Sequence, residues 1–360
     1  MIPSLEGGGA ERQALSLILN LRKNNWDVSV ILCNISPQTR KTLEKLGIEI
    51  LVVGEFRILS CFSIFLRTLS FSRKKKTIIN TWLSHMDVLG GLVSIVLNLN
   101  WIINERSSAK AYVSERGAYA VNPILVFLRK FLGKYSTYVI ANSEEGMDYW
   151  NKIINPLKVD FIANSIDPNQ IQNSFLKESS KDFLMDVPFI LSVGSLIPSK
   201  NHKTLIKAVE LLDSVNFNLL IIGDGPMKGE LEQLTVNRNL QKKIIFLGRK
   251  DVWWNYLPKS LGLVHASLYE GMPNVVLEAV AAKCPVILSN INAHSNILDA
   301  NSALFFKSED TSQLADMIMK LINDPKGAAF RVDLAYNQIS KYHSGKITKS
   351  VENIYKIITS

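Results

Sequence analysis

Short apolar runs rich in valine and isoleucine alternate along the chain with longer amphipathic segments. The runs VSVILC (28–33), TIINTW (77–82), TYVIANS (137–143), FILSVGS (189–195), NLLIIGDG (218–225), KIIFLG (243–248), LGLVHAS (261–267) and CPVILSN (284–290) have the length and residue types of buried strands. LGGLVSIVLNLNWII (89–103) reads as a buried helix running into a further strand. Strands that alternate with helices predict parallel sheets built from βαβ units. Eight or more strands over 360 residues exceed one six-stranded sheet and fit two doubly wound domains. The rhythm breaks at the polar stretch IANSIDPNQIQNSFLKESSKD (162–182) and restarts at FILSVGS. The pattern therefore predicts a first domain over 1–168, a second over 169–335, and a helical stretch 336–360 that folds back onto the first. At the start, MIPSLEGGG passes directly from a short apolar run into glycines, so the first strand is expected to begin at its first residue or to lack its N-terminal end.

Composition narrows the class. An apolar fraction of 47% with 20% charged residues belongs to a folded chain. Cys33, Cys61 and Cys284 stand far apart, without the spacing of a metal cage or a disulfide framework, and make a reducing cytoplasmic compartment the default. No run of eighteen apolar residues suggests a membrane span. Charge is unevenly placed: residues 1–140 hold 18 Lys/Arg against 9 Asp/Glu, and residues 141–360 hold 23 of each, so the net +9 lies wholly in the first part. Such a field suits an anionic partner, whether lipid surface, nucleic acid or phosphorylated substrate. Basic residues are not interleaved with aromatics, which disfavours nucleic acid. In FRILSCFSIFLRTLSFSRKKK (56–76), Arg57, Ser60, Ser63 and Arg67 trace a polar stripe on an apolar helix, followed by a basic block. Two readings stand: a helix lying on an anionic membrane, or a core helix followed by a solvated charge run.

The second domain carries the chemistry. NLLIIGDGP places Gly223, Gly225 and Pro226 at the end of a buried strand, where open α/β sheets bind ligands. GDGPMKG departs from a dinucleotide fingerprint in its third glycine and lacks the acidic residue expected about 20 positions on, so a tight turn explains it equally well. In HASLYEGMPNVVLEA a strand passes through a loop into a helix, with Pro273 in the first turn and free backbone amides aimed outward, a ready anion site. Helical rise throughout would separate Glu270 and Glu278 by roughly 12 Å. Paired glycosidase carboxylates sit ~5–9.5 Å apart, so the spacing favours an elongated ligand with phosphate in the middle over a hydrolytic pair. The plainer alternative makes Glu278 a solvated helix residue and Glu270 a loop charge. In the first domain, the glycines of GGGAER (7–12) allow close backbone approach, or simply form a tight βα turn. His85, expected at a strand end with Asp87 two residues on, could orient or deprotonate an acceptor hydroxyl, although a lone histidine is more often structural.

The ordered set SVGSLIPSKNHKTLIKAVELL (192–212), LIIGDGP (220–226), IIFLGRKDV (244–252) and HASLYEGMPNVVLEAVAAKCPVI (265–287) resembles the donor domain of glycosyltransferase family 4, and E-x7-E, here Glu270 and Glu278, is that family's hallmark. VIANSEEGMDYW (139–150) and GGGAER extend the resemblance over nearly the whole chain. It implies a GT-B fold, two Rossmann-like doubly wound α/β domains facing across a cleft, with the acceptor on the first and a nucleotide-sugar donor on the second. By resemblance, Glu278 holds the ribose hydroxyls and Glu270 the hydroxyls of the transferred sugar. Backbone around Gly271, Met272, Asn274 and Val275 holds the diphosphate or sugar, with Pro273 unable to donate. Lys200 neutralises the leaving diphosphate, Arg249 lies in the loop that frames the base, and Gly8 and Gly9 lie across the cleft from the phosphates.

The chain departs from the family pattern in places. Gly194-Ser195-Leu196 stands where relatives read Gly-Arg-Leu, removing one diphosphate cation, for which Arg106 is a substitute at a position where relatives often carry histidine. A plainer reading makes Arg106 an ion-pair partner of Glu105. Ala163-Asn164-Ser165-Ile166-Asp167 replaces Pro-Asn-Gly-x-Asp, and Asn296 stands where a second acid is common. No Asp-x-Asp motif is available for a metal, and no cofactor is called for. The implied activity is retaining, metal-independent sugar transfer from a nucleotide sugar to a lipid-linked saccharide, in assembly of a bacterial surface polysaccharide (O-antigen, capsule or lipopolysaccharide). Retention comes from the family alone, since no covalent nucleophile is evident. The expected setting is peripheral, on the anionic cytoplasmic face of the membrane. Two alternatives remain: a non-catalytic nucleotide-sugar-binding protein, made plausible by Ser195, and a GT-B sugar-nucleotide epimerase or phosphorylase.

Overall fold

The computed structural model describes residues 1–54, 76–107, 122–177 and 187–360, together with 64, 66 and 68–70. Arg57, Ser60, Ser63, Arg67 and the basic residues 73–75 lie outside the described residues. The described chain divides into two compact units. One comprises 1–107 and 122–165 with Ser344–Ser360, and the other Ile166–His343.

In the first unit, strands β1 (Ser29–Leu32) and β2 (Glu49–Val52) pair in parallel, as do β3 (Ile78–Trp82), β4 (Asn100–Glu105), β5 (Tyr138–Ala141) and β6 (Val159–Phe161). The first residues join the two groups. The Ile2 amide donates to Ile31 O at 3.0 Å and the Trp82 amide to Met1 O at 3.0 Å, so extended backbone lies between β1 and β3. With that segment counted first, the order is the 3-2-1-4-5-6 of a doubly wound sheet, extended by one strand. Helices α1 (Gly9–Lys23), α2 (Ser84–Leu97), α3 (Pro123–Gly133) and α4 (Glu144–Asn151) are the ones that position functional groups. Two begin at side-chain caps: α3 has Pro123 in its first turn after Asn122, whose side chain caps the Ile124 amide, and α4 follows Ser143, which caps Gly146. β4 and β5 are buried along almost their whole length, which is why they read as continuous apolar runs.

The second unit holds β7 (Phe189–Val193), β8 (Asn218–Ile222), β9 (Ile244–Gly248), β10 (Gly262–His265), β11 (Val286–Ser289) and β12 (Leu304–Phe306) in one parallel sheet, ordered β12-β11-β10-β7-β8-β9. In this order the winding reverses between β7 and β10, and the crevice outside their carboxyl ends is where such sheets bind ligands. Helix α5 (His202–Glu210) follows β7, and α6 (Asn274–Ala281) follows β10. Leu205, Val209, Leu219, Ile221, Val264 and Ile287 belong to the shared core that fixes both helices against the sheet.

The unit boundary falls between Ser165 and Ile166, and residues 336–343 stay with the second unit because helix Pro325–Gln338 is continuous. Only the last helix, α7 (Ser344–Thr359), returns to the first unit. There Glu352 Oε1 accepts from Asn24 Nδ2 at 2.8 Å and Trp26 Nε1 at 2.9 Å, while the Tyr355 ring meets Trp26 edge-on.

Candidate functional site: an ion pair at the switch point of the second unit

The loops leaving β7 and β10 bring Lys200 and Glu270 together. Leu268 N donates to Ser199 O at 2.8 Å, locking one loop to the other, and Lys200 Nζ forms an ion pair with Glu270 Oε1. Ser267 Oγ donates to the same oxygen at 2.7 Å. Burial opposes the charged form of Glu270, but the Lys200 ammonium and the hydrogen bonds from Lys200 and Ser267 outweigh it and hold the carboxyl down at about 2. Glu270 is therefore ionised at neutral pH, and it sits just before the amide-rich start of α6.

Two histidines that the sequence did not single out for chemistry stand behind this pair. His294 Nδ1 lies 2.7 Å from Ser289 O, and since a carbonyl only accepts, that nitrogen carries a proton. His294 Nε2 then accepts from His265 Nδ1 at 2.9 Å. The remaining nitrogen, His265 Nε2, faces Glu270 Oε1 at 3.5 Å and has no hydrogen-bond partner among the described residues. Burial pushes His265 well below its usual value and takes His294 down to about 4, so both rings are neutral near pH 7. His202, at the start of α5, is lowered to about 4 by burial and then by Lys200.

Other expected ligand contacts distribute unevenly. Met272, Pro273, Asn274 and Glu278 are buried, and Gly271 and Val275 half-buried, so Glu278 is not a solvated helix residue. The helix begins only at Asn274, so helical rise does not apply from Glu270 to Pro273, and the 12 Å expectation is replaced by a loop followed by one turn. Ser195 is exposed at the end of β7. Gly223 and Gly225 face backbone: a Cβ on Gly223 would lie 1.9 Å from Gly194 O, and one on Gly225 2.6 Å from Leu196 O. These glycines thus let the β8 loop brace the loop that carries Lys200, with Leu196 N donating to Asp224 O at 2.9 Å. Pro226 is exposed, and Arg249 is exposed beside Asp251 at 3.6 Å.

In the first unit, Gly8 opens α1, which begins at Gly9; the Glu11 carboxylate folds back to accept from the Gly8 amide. His85 is exposed in the first turn of α2 and does not end a strand. Its expected helper, Asp87, is buried and held by Arg129 Nε at 2.6 Å. Arg129 Nη1 also donates to Glu105 at 2.7 Å, and Trp150 Nε1 to the same carboxylate oxygen at 3.0 Å. Glu105 is thereby occupied, which removes the reading of Arg106 as its surface partner. Arg106 instead lies 4.5 Å over the Trp82 ring and donates to Asn164 Oδ1 and Asn104 Oδ1, both at 3.1 Å. Burial lowers it to about 10 against the pull of nearby Glu105, so it stays charged at neutral pH, and among the described residues no carboxylate lies within ion-pair distance of it.

This arrangement of two doubly wound units is the GT-B fold. A crystal structure of Anabaena HepE with UDP-glucose superposes with a TM-score of 0.80 at 16% identity, covering 99% of both chains. Residues 176–341 match the family Glycosyl transferases group 1. It is 28% identical over 230 residues to the N-acetylgalactosamine-N,N'-diacetylbacillosaminyl-diphospho-undecaprenol 4-alpha-N-acetylgalactosaminyltransferase of Campylobacter jejuni, covering 62% of this chain and 61% of that relative. A second Campylobacter jejuni protein, an alpha-1,4-N-acetyl-D-galactosaminyltransferase acting on an undecaprenol-linked saccharide, is 24% identical over 99% of this chain and 97% of its own length. The chain thus spans about six-tenths of the length of the first curated relatives it matches.

Proposed function

We propose that the protein is a retaining, metal-independent glycosyltransferase. It moves a hexose or N-acetylhexosamine from a UDP-sugar to a diphosphate-linked lipid saccharide during assembly of a bacterial surface polysaccharide. The observation that carries this reading is the Lys200–Glu270 pair at the β7/β10 switch point, beside the start of α6. In an uncharged site a departing diphosphate would accumulate negative charge without compensation. Lys200 and the first amides of α6 supply it from preorganised positions. Glu270 holds hydroxyls of the transferred sugar, Glu278 those of the ribose, Arg106 stands in for the diphosphate cation missing at Ser195, and His85 serves the acceptor. The relatives named for undecaprenol-linked acceptors and the HepE complex with UDP-glucose support the two substrate classes.

The acceptor's lipid implies a membrane, and the first unit offers a face for it. Ile124, Phe127 and Phe131 on α3, Tyr135 just beyond its end, and Leu92 and Val96 on α2 are exposed large apolar side chains. Lys130 and Lys134 are exposed among them, and the lone acid of the two helices, Asp87, is buried against Arg129. An apolar face whose exposed charges on these two helices are positive suits an anionic bilayer surface. Among the described residues, no helix is long and apolar enough to cross a membrane.

UDP release from a panel of UDP-sugars, with a diphosphate-linked undecaprenyl saccharide as acceptor, tests the activity. Transfer that persists in EDTA and yields an α-linked product is expected. Failure of every nucleotide sugar to raise Tm would sink the donor assignment. Co-sedimentation with anionic but not neutral vesicles, reduced by Phe127→Ser and Phe131→Ser, is expected for the docking face; equal binding to both vesicle types contradicts it.

A further inference from the structure

The two histidines behind Glu270 form a hydrogen-bonded file with one proton too few. From Ser289 O through His294 to His265, three ring nitrogens are engaged, and the file ends on a bare Nε2 lone pair facing the Glu270 carboxylate at 3.5 Å. Two acceptors thus face each other, an arrangement tolerated because Lys200 neutralises Glu270 from its other side. One added proton would change every contact for the better. His294 and His265 would share an imidazolium, and His265 Nε2 would donate to Glu270.

We propose that His265 and His294 are positioning residues that take up one proton from solvent as the donor's diphosphate binds beside Lys200. The inference rests on the reading of Lys200 as the diphosphate's cation. Lys200 and Glu270 sum to zero charge, and a sugar diphosphate brings two negative charges. The occupied site therefore has net −2 in a largely water-excluded place, where the cost of unbalanced charge is high. Lys200, once turned to the phosphate, no longer repels a proton on the imidazoles, while Glu270 still attracts it. The groups facing His265 are Glu270 from the β10 loop, Lys200 and His202 from the segment after β7, and His294 after β11. Protonation then holds the Glu270 carboxylate in place for the sugar after its lysine partner has been drawn away.

Isothermal titration of UDP-N-acetylgalactosamine, and of UDP-glucose in parallel, at one pH in phosphate, HEPES and Tris provides the test. These donors carry no phosphate that titrates near neutrality, so buffer-dependent heat reports protons moving on the protein. The apparent enthalpy is expected to vary with buffer ionisation enthalpy with a slope approaching one proton taken up. In His294→Asn and in His265→Gln the slope is expected to fall towards zero. Binding heat with zero slope in the unmodified protein overturns the inference while leaving the donor site standing, and absent binding heat overturns the donor site itself. A slope that survives in both variants places the proton on Glu270 or His202 and overturns the assignment. The pH dependence of Kd gives the same answer without variants: one linked proton weakens donor binding by up to about tenfold per pH unit on the alkaline side, and a flat profile contradicts it.

Discussion

Each unit carries a cation–carboxylate cluster, and the two differ in what they leave open. In the first unit Arg129 and its partners Asp87 and Glu105 are sealed, with side-chain exposures of 4%, 0% and 1%. Its guanidinium is forked between two carboxylates, one of which also accepts from an indole. Burial raises Asp87 against the pull of Arg129, whereas for Glu105 burial is overcome by Arg129 and its hydrogen bonds, which hold it low. In the second unit Lys200 and Glu270 remain 20% and 14% exposed, and the histidine behind them ends on an unsatisfied nitrogen. A sealed cluster fixes elements to one another. An accessible pair with a spare valence can exchange its partner for a ligand.

The largest test of that contrast is Arg129→Met, which strands two buried carboxylates and is expected to cost about 3–5 kcal/mol in urea unfolding of the first unit. Donor binding below the melting transition should be unaltered. Lys200→Ala should weigh the other way, costing less stability than Arg129→Met while lowering transfer about 10²–10³-fold. A large loss of stability from Lys200→Ala would erase the distinction.

Acid sharpens the comparison next. Glu270's folded pKa of about 2 lies below its ordinary 4.5, so its contribution is complete above 4.5 and is lost as pH falls towards 2. That span is worth at most about 3 kcal/mol. His294, lowered from 6.5 to about 4, acts in the same sense: protons favour the unfolded chain as pH falls through 6.5 towards 4. Glu270→Gln should flatten the stability profile between pH 4.5 and 2, and a profile parallel to that of the unmodified protein would show that the pair stores no such energy. The smallest expected effect is Ser195→Arg. At this exposed position it should change stability by less than about 0.5 kcal/mol and increase donor turnover a few-fold, up to about tenfold. A fall in turnover would contradict the view that the site lacks a cation there.

The apolar runs revealed most strands because parallel strands covered on both faces need continuous Val and Ile. β2, β6 and β12 escaped because four residues with a leading glutamate, or three residues, carry too little pattern. Lys200 and Glu270 were legible through the motif around them. The His265–His294 file was not, because it depends on the register of β10 against β11 and on the turn Asn292–Ser295, across 29 positions. Asp87 was misread for a similar reason: its sequence neighbour is His85, but its partner Arg129 arrives from α3, 42 positions away. The glycines of GDGP invited a ligand, and the packing of one loop on another accounts for them.

The return of α7 to the first unit bears on biosynthesis. During translation the second unit, Ile166–His343, has all its strands before Ser344 emerges from the ribosome. The first unit, begun earlier, waits for the last residues to cover Trp26, Tyr138 and Ile140 with Val351, Ile354 and Tyr355. The part begun first is therefore completed after the second unit. Until then its nascent form exposes an apolar seam that a chaperone can hold and a protease can find.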